Sequence, residues 1–248
     1  EAKPLAVYYY NESRAEAVAK EAGITRQECD DTALLRYEQY LDATANERAF
    51  QKRYMFPVRI KEKKQIKQID ADEGIAVRTK ESLAAYKTVV EGGVLTSGTQ
   101  CHPTDGSCGV IVTTKEKAQE LSAGSAITVQ VISYGAVRVA PGRVASAPVP
   151  ALTRSLKDAG LRVGDLKQIK THNPFIVNDI YLGKQMGIEQ KYINNYGSPM
   201  VFGHPQAPTA GRAIIELIEA LAVQGGGYGA FTGCAAGDIG ASLIVKVS

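Results

Sequence analysis

The sequence predicts an α/β protein built in layers, with a helix-rich first part. Strand-like and helix-like segments alternate from about residue 125 to residue 248, a pattern typical of layered α/β domains. Residues 1–95 are polar and mostly helical in pattern. The chain has 248 residues, of which 44% are apolar and 22% charged, so it is globular in composition and long enough for two domains.

In the first part, a helix is predicted to begin at Thr25, because Thr25 and Glu28 have the spacing of a capping box. Residues 58–69 place apolar side chains among lysines, which predicts an exposed strand followed by a charged loop. We interpret the lysines as a solvated face. The alternative is that they bind the phosphates of a nucleotide-bearing substrate.

Between the two parts, residues 109–113 predict a short strand, and Thr113 and Glu116 predict the start of a helix after it. The strand belongs to neither part and resembles the last strand of a sheet whose other strands lie elsewhere. An edge strand without neighbours leaves backbone groups unpaired. We therefore expect a partner chain that completes the sheet.

The second part alternates regularly. The predicted elements are a strand at 126–140, a helix at 150–160, a strand at 166–172, a helix at 174–187, a helix after His204 and two strands within 228–247. The last two strands are joined by a tight Gly/Asp turn.

Composition narrows the classes of function. Twenty-nine basic and 26 acidic residues give a net charge of +3, so neither nucleic acid nor a membrane is expected as a partner. Four scattered cysteines do not form a disulfide framework, and a cytoplasmic location with reduced thiols is expected. A zinc site from Cys101, His102 and Cys108 has no standard ligand spacing, so no metal is expected.

Three residues could carry chemistry. His204 lies between Gly203 and Pro205 at a helix entrance, where backbone geometry aims the ring and a histidine can act as a general base; alternatively it only caps the helix. Cys234 lies in a glycine-rich turn that a substrate can approach, or is a small buried residue. His172 ends a strand, where ligands bind in open α/β sheets, or is structural.

Several stretches together resemble the thiolase family, in the expected order and over nearly the whole chain. The segment "YGSPMVFGHPQAPTAGR" resembles the thiolase histidine motif, and "GCAAGDIGASLIV" resembles the C-terminal cysteine motif. The segments "QCHPTDGSCGVIVTT" and "GITRQECDDTALLRYEQY" resemble the end of the first half and the loop domain. The resemblance implies a loop domain at 1–95, the last strand and helix of the N-terminal domain at 96–124, and a C-terminal domain at 125–248.

The stretch "HNPF" resembles the sterol-carrier-protein-type and archaeal branch, which has a histidine where most thiolases have an asparagine. His172 and Phe175 fit this branch. Asn173 departs from it, because the branch commonly has an acid at that position, and the subfamily stays open.

The resemblance also implies roles. His204 would activate the nucleophilic thiol, and Cys234 would move protons to and from the acyl-CoA or CoA. His172 would hold a water that stabilises the enolate, and the backbone near Ala236 and Gly237 would complete an oxyanion hole. The reaction implied is reversible cleavage of 3-oxoacyl-CoA through an acyl-enzyme, with coenzyme A as substrate and no bound cofactor.

One part of the thiolase pattern is missing. The family's nucleophilic cysteine lies in the first half of the fold, and neither Cys29, Cys101 nor Cys108 lies in a fitting motif. Because the sequence begins at Glu1 and not at a methionine, we expect the first half on another polypeptide or upstream, in an oligomer. The alternatives are a retro-aldolase on a CoA thioester, working with a small OB-fold/zinc-ribbon partner, and a non-catalytic subunit.

Overall fold

The computed structural model describes residues 5–62, 65–76, 78–122, 124 and 127–248. The helices are α1 (Leu5–Glu21), α2 (Arg26–Arg48), α3 (Lys80–Ala85), α4 (Lys115–Leu121), α5 (Pro148–Ala159), α6 (Ile176–Met186), α7 (Pro199–Phe202) and α8 (Pro208–Val223). The strands are β1 (Val58–Glu62), β2 (Gln65–Ile69), β3 (Val129–Arg138), β4 (Leu166–His172), β5 (Gly227–Ala235) and β6 (Ile239–Val247). Within the described ranges, no helix is long and apolar enough to cross a membrane.

A four-stranded sheet in the order β3-β6-β5-β4 organises the second part of the chain. β4 and β5 are parallel, and the other two pairs are antiparallel. On β5, Ala230 packs into a cluster with Leu152 of α5, while the next residue, Phe231, packs into a cluster with Leu217 of α8. Because successive strand residues point to opposite faces, α5 and α8 cover opposite faces of the sheet.

The first part of the chain packs onto the second through one shared core. Val18 of α1 and Tyr37 of α2 lie in the same buried cluster as Ile176 and Ile180 of α6. The predicted capping box is present, since Thr25 Oγ1 accepts from Glu28 N at 3.2 Å and Glu28 accepts from Thr25 N at 2.8 Å. The helical first part therefore rests on the helix that follows β4.

Two predicted strands differ in the structure. Residues 58–69 form an antiparallel hairpin of β1 and β2, while Lys63 and Lys64 lie outside the described residues. Residues 109–113 form no strand, because among the described residues no neighbouring strand pairs with their backbone. The helix after them begins one residue later than predicted, with Thr114 accepting from Lys117 N.

Two predicted helix starts also differ. The proline at the first turn of α8 is Pro208, not Pro205. The helix predicted from 174 begins at Ile176, because Pro174 and Phe175 run extended beside residues 99–101. There the Pro174 carbonyl accepts from Cys101 N at 2.8 Å. The strand predicted at 126–140 is β3, shorter at both ends, and Ala126 lies outside the described residues.

Candidate active site

A cavity of about 490 Å³ opens at the carboxyl ends of β4 and β5. Its wall is mostly apolar and contains no carboxylate, lysine or arginine. The side chains that can exchange protons there are Cys101, His172, His204 and Cys234. All three residues singled out from the sequence, His172, His204 and Cys234, therefore line one cavity.

His172 is the last residue of β4 and is held by β5 beside it. Its Nδ1 lies 2.9 Å from the backbone carbonyl of Cys234, so Nδ1 carries the proton and donates it. A Cβ at Gly233 would lie 2.8 Å from the His172 Cβ, so only glycine permits this closeness. Burial, with a smaller effect of His204, lowers the pKa of His172 to about 3. Its buried Nε2 has no partner among the described residues and is a free acceptor.

His204 is aimed by the backbone on both sides. Gly203 has a φ of 94°, and a Cβ there would collide with the Thr104 side chain, so glycine is required. The His204 N–H donates to the His102 carbonyl at 2.8 Å. The His204 Nδ1 lies 2.6 Å from Thr209 Oγ1. The histidine thus does not cap α8, whose N-cap is Ala207.

The two imidazoles lie against each other. Their ring centroids are 4.3 Å apart with 33° between the planes. Burial lowers the pKa of His204 below its usual range. Both rings are therefore neutral near pH 7, and each keeps one nitrogen lone pair that can accept a hydrogen bond.

Cys234 lies near the end of β5 in register with Gly240. It is a free, buried thiol, and burial raises its pKa to about 12. Asn178 of α6 places its amide Nδ2 3.5 Å from the Cys234 Sγ. The thiol is thus in contact with one polar side chain in an otherwise apolar corner formed by Val139, Val144 and Ala147.

The predicted oxyanion residues follow Cys234 at the mouth of the cavity. Ala235 and Ala236 line the cavity, whereas Gly237 lies in the turn beyond it with a φ of 87°. Asp238 fixes this turn by accepting from the backbone N–H groups of Gly142 and Arg143, both at 3.1 Å.

At position 173 the resembled branch commonly has an acid. Here Asn173 binds the carboxylate of Asp179, a residue of α6. Its Nδ2 donates to Asp179 Oδ2 at 2.7 Å. Asp179 also accepts from Thr171 Oγ1 at 2.6 Å and from Arg36 Nε at 2.8 Å, and Arg36 and Asp179 are fully buried. The two residues that flank His172 are therefore held by one buried carboxylate.

The sequence did not single out Thr209, Asn178 or the cavity position of Cys101. Thr209 lies five residues after His204 in the first turn of α8, and this short separation in sequence is the one indication that the two side chains meet. Asn178 occupies the third position of α6, where a polar residue is usually read as a cap. Cys101 is held at the cavity by the hydrogen bond from its backbone N–H to the Pro174 carbonyl. No local sequence pattern indicates this long-range contact.

The zinc alternative has no geometric support. No group of three His, Cys, Asp or Glu side chains in the described part of the chain is arranged to hold a metal ion. Cys101 is buried at the cavity, while Cys108 is exposed and its Sγ contacts the Pro208 carbonyl at 3.4 Å.

A thiol, two neutral imidazoles and a polar turn in an apolar cavity suit proton transfer and covalent chemistry at an acyl group. The fold and this site define a thiolase-like protein. Comparison with known families agrees, because the model for the thiolase N-terminal domain matches residues 9–116 and that for the thiolase C-terminal domain matches residues 125–247. The chain belongs to the thiolase family.

Individual relatives are longer than this chain. An acetyl-CoA acetyltransferase of Syntrophomonas wolfei is 32% identical over 241 residues, covering 96% of this chain and 60% of the relative. The peroxisomal 3-ketoacyl-CoA thiolase A of Mus musculus is 30% identical over 94% of this chain and 56% of its own length. The crystal structure of the Bacillus anthracis acetyl-CoA acetyltransferase matches with a TM-score of 0.89 and 26% identity, over 96% of this chain and 60% of that one. The chain thus spans about 60% of their length.

Proposed function

We propose that this chain provides the second part of a thiolase-type acyltransferase that cleaves or forms 3-oxoacyl-CoA with coenzyme A as co-substrate. The observation that carries the proposal is the convergence of His172, His204 and Cys234 on one cavity within a thiolase fold. The proposed division is a loop domain at 1–95, a remainder of the N-terminal domain at 96–124 and a C-terminal domain at 125–248.

In the proposed reaction, His204 takes the proton of the nucleophilic thiol and Cys234 exchanges a proton with the acyl-CoA α-carbon or the CoA thiol. The free Nε2 of His172 suits a bound water, which would donate to Nε2 and to the enolate oxygen. The backbone at Ala236 and Gly237 would supply donors to the tetrahedral oxyanion, where one donor is worth about 10²–10³ in rate.

We place the nucleophilic cysteine outside this chain. Cys29 lies in the buried core of α1, α2 and α6, and Cys108 is exposed on the α8 side. Cys101 is the one further thiol on the cavity wall, but it precedes no helix, and burial raises its pKa to about 12. A first-half polypeptide of the thiolase fold would supply a thiol at a helix N-terminus, where the thiolate is stabilised.

The test is thiolysis of acetoacetyl-CoA and of longer 3-oxoacyl-CoAs, with and without a polypeptide carrying the first part of the thiolase fold. We expect turnover with that polypeptide, its loss in His204→Ala and its retention in Cys101→Ala. Turnover that disappears in Cys101→Ala would locate the nucleophile in this chain instead. Turnover unaffected by His204→Ala would refute the proposal and favour a non-catalytic subunit.

A retro-aldolase on a CoA thioester, with a small OB-fold/zinc-ribbon partner, is the second candidate, because this cavity also suits enolate chemistry. Cleavage without a thiol gives no reason for Cys234 to line the cavity. Cys234→Ala distinguishes the two, since it should abolish thiolysis and leave aldol cleavage intact.

A further inference from the structure

We infer that Asn178 is a positioning residue that stabilises the thiolate of Cys234. The inference rests on the proposed function only for its catalytic consequence. The hydrogen bond from Asn178 to the Cys234 sulfur is argued from the contacts of the Asn178 amide alone. Asn178 has no other role in the proposed reaction.

The direction of the Asn178 amide follows from its partners. Its Oδ1 accepts from the backbone N–H of Phe175 at 3.3 Å, in the first turn of α6. The Nδ2 group then faces two acceptors, the Ala145 carbonyl at 3.2 Å and the Cys234 Sγ at 3.5 Å. With the oxygen and one N–H already used, the second N–H points at the sulfur.

Among the described residues, no other side chain donates a hydrogen bond to this sulfur. The cavity wall around Cys234 carries His172, His204 and Cys101 as its titratable groups and no charged side chain. His172 turns its Nδ1–H to the Cys234 carbonyl rather than to the thiol. In an apolar corner, a hydrogen bond to the ionised form favours that form, so removing it shifts the thiol further towards the protonated state.

The consequence for the proposed reaction is specific. When Cys234 gives its proton to the α-carbon of the substrate, its S–H bond breaks, a C–H bond forms and the sulfur keeps the electron pair. The Asn178 N–H faces the negative sulfur at that moment. The Asn178 side chain need not touch the substrate to act in this way.

The test measures the alkylation rate of Cys234 by iodoacetamide at about pH 9, followed by peptide mass spectrometry. Asn178→Ala opens space beside the thiol and Asn178→Leu fills it, but both remove the donor. We expect both variants to react about tenfold to a hundredfold more slowly than the wild type, the range for a hydrogen bond to a charged group. Because the two variants change access in opposite directions, slowing in both reports the thiolate.

Two further variants secure the test. Asn178→Asp keeps an acceptor for the Phe175 N–H and is therefore expected to fold, and its ionised carboxylate should also slow alkylation. Asn195→Ala removes a partly buried amide that binds Gln168, away from the cavity, and should leave the rate unchanged. An alkylation rate within about twofold of the wild type in any folded Asn178 variant would overturn the inference. Because this readout needs no turnover, it stays informative if thiolysis is never observed.

Discussion

At the residue scale, the two imidazoles of the cavity are fixed by different partners. His172 donates from Nδ1 to a backbone carbonyl, whereas His204 Nδ1 meets the hydroxyl of Thr209. A carbonyl only accepts, so the tautomer of His172 is determined, with the lone pair on Nε2. If Thr209 accepts in the same way, His204 also presents a free Nε2 and can take a proton there.

Replacing Thr209 with valine tests this orientation. Valine keeps the shape but loses the oxygen that lies 2.6 Å from His204 Nδ1. We expect kcat for thiolysis to fall roughly fivefold with little change in KM, because the hydrogen bond orients the base and a net hydrogen bond is worth about 1 kcal/mol. Thr209→Ser should retain most of the activity. Equal losses in both variants would show that packing, not the hydrogen bond, matters.

The neutral state of buried His172 makes stability depend on pH. The pKa of His172 is lowered to about 3, so between about pH 6.5 and pH 3 the unfolded chain binds a proton that the folded chain does not. The contribution of His172 to stability is complete above pH 6.5 and is lost as pH falls towards 3, by up to about 1.4 kcal/mol per pH unit.

The variant His172→Asn removes this titration while keeping a donor for the Cys234 carbonyl. Urea unfolding of both proteins at several pH values should show a shallower acid loss of unfolding free energy in the variant. His204, whose pKa is also lowered, is present in both proteins. Parallel curves for the two proteins would mean that His172 takes up its proton as readily in the folded state as in the unfolded state.

At the element scale, glycines bring strands and helices to distances that a side chain forbids. A Cβ at Gly240 would collide with the Ala147 carbonyl just before α5, opposite Cys234 in the β5–β6 pair. The obstacle is backbone, which cannot rotate away. The close packing of the start of α5 against this end of the sheet therefore depends on Gly240. The same packing forms one side of the apolar corner around Cys234.

We expect Gly240→Ala to cost about 1–3 kcal/mol of unfolding free energy, the usual range for overpacking. Gly164→Ala is the matched control, because a Cβ there meets nothing within 4 Å and φ is not positive. The control should stay within about 0.5 kcal/mol of the wild type in urea unfolding. If Gly240→Ala is as stable as the control, the strand and α5 separate more easily than the packing indicates.

Element types were predictable from the sequence, and several of their ends were not. Periodicity and caps located α2, α5 and the strands β4 to β6, because these signals lie within a few residues of each other. The predicted start of α6 is misplaced because Pro174 pairs with the distant segment at 99–101. The predicted start of α8 is misplaced because the sequence offers two prolines, and the first turn of the helix contains Pro208 and not Pro205. Where the sequence predicts one strand and a charged loop, the structure has the hairpin of β1 and β2.

At the scale of the whole molecule, the segment 109–113 exposes a run of apolar side chains. Val110, Ile111 and Val112 are 52%, 77% and 78% exposed, although three consecutive apolar residues normally lie in a core. In the proposed function, these residues pair with the first part of the thiolase fold on another segment or chain.

Ile111→Lys should therefore weaken co-purification with a polypeptide carrying that first part, by tenfold or more in affinity if Ile111 becomes buried. The urea midpoint of the isolated chain should not change, because the side chain is mostly exposed. Ser122→Lys adds the same charge at an exposed site outside the segment and should bind normally. Unchanged binding of Ile111→Lys would place the partner elsewhere.

The sequence by itself determined the layered α/β class, the capping of α2 and the identity of His172, His204 and Cys234 as candidates, because periodicity and motif spacing are local. Tertiary structure alone decided which groups meet at the cavity. Parallel β4 and β5 bring His172 into register with Gly233, and α6 places Asn178 beside Cys234 across 56 positions of chain. Such contacts depend on the packing of distant elements, whose free energy no short window of sequence contains.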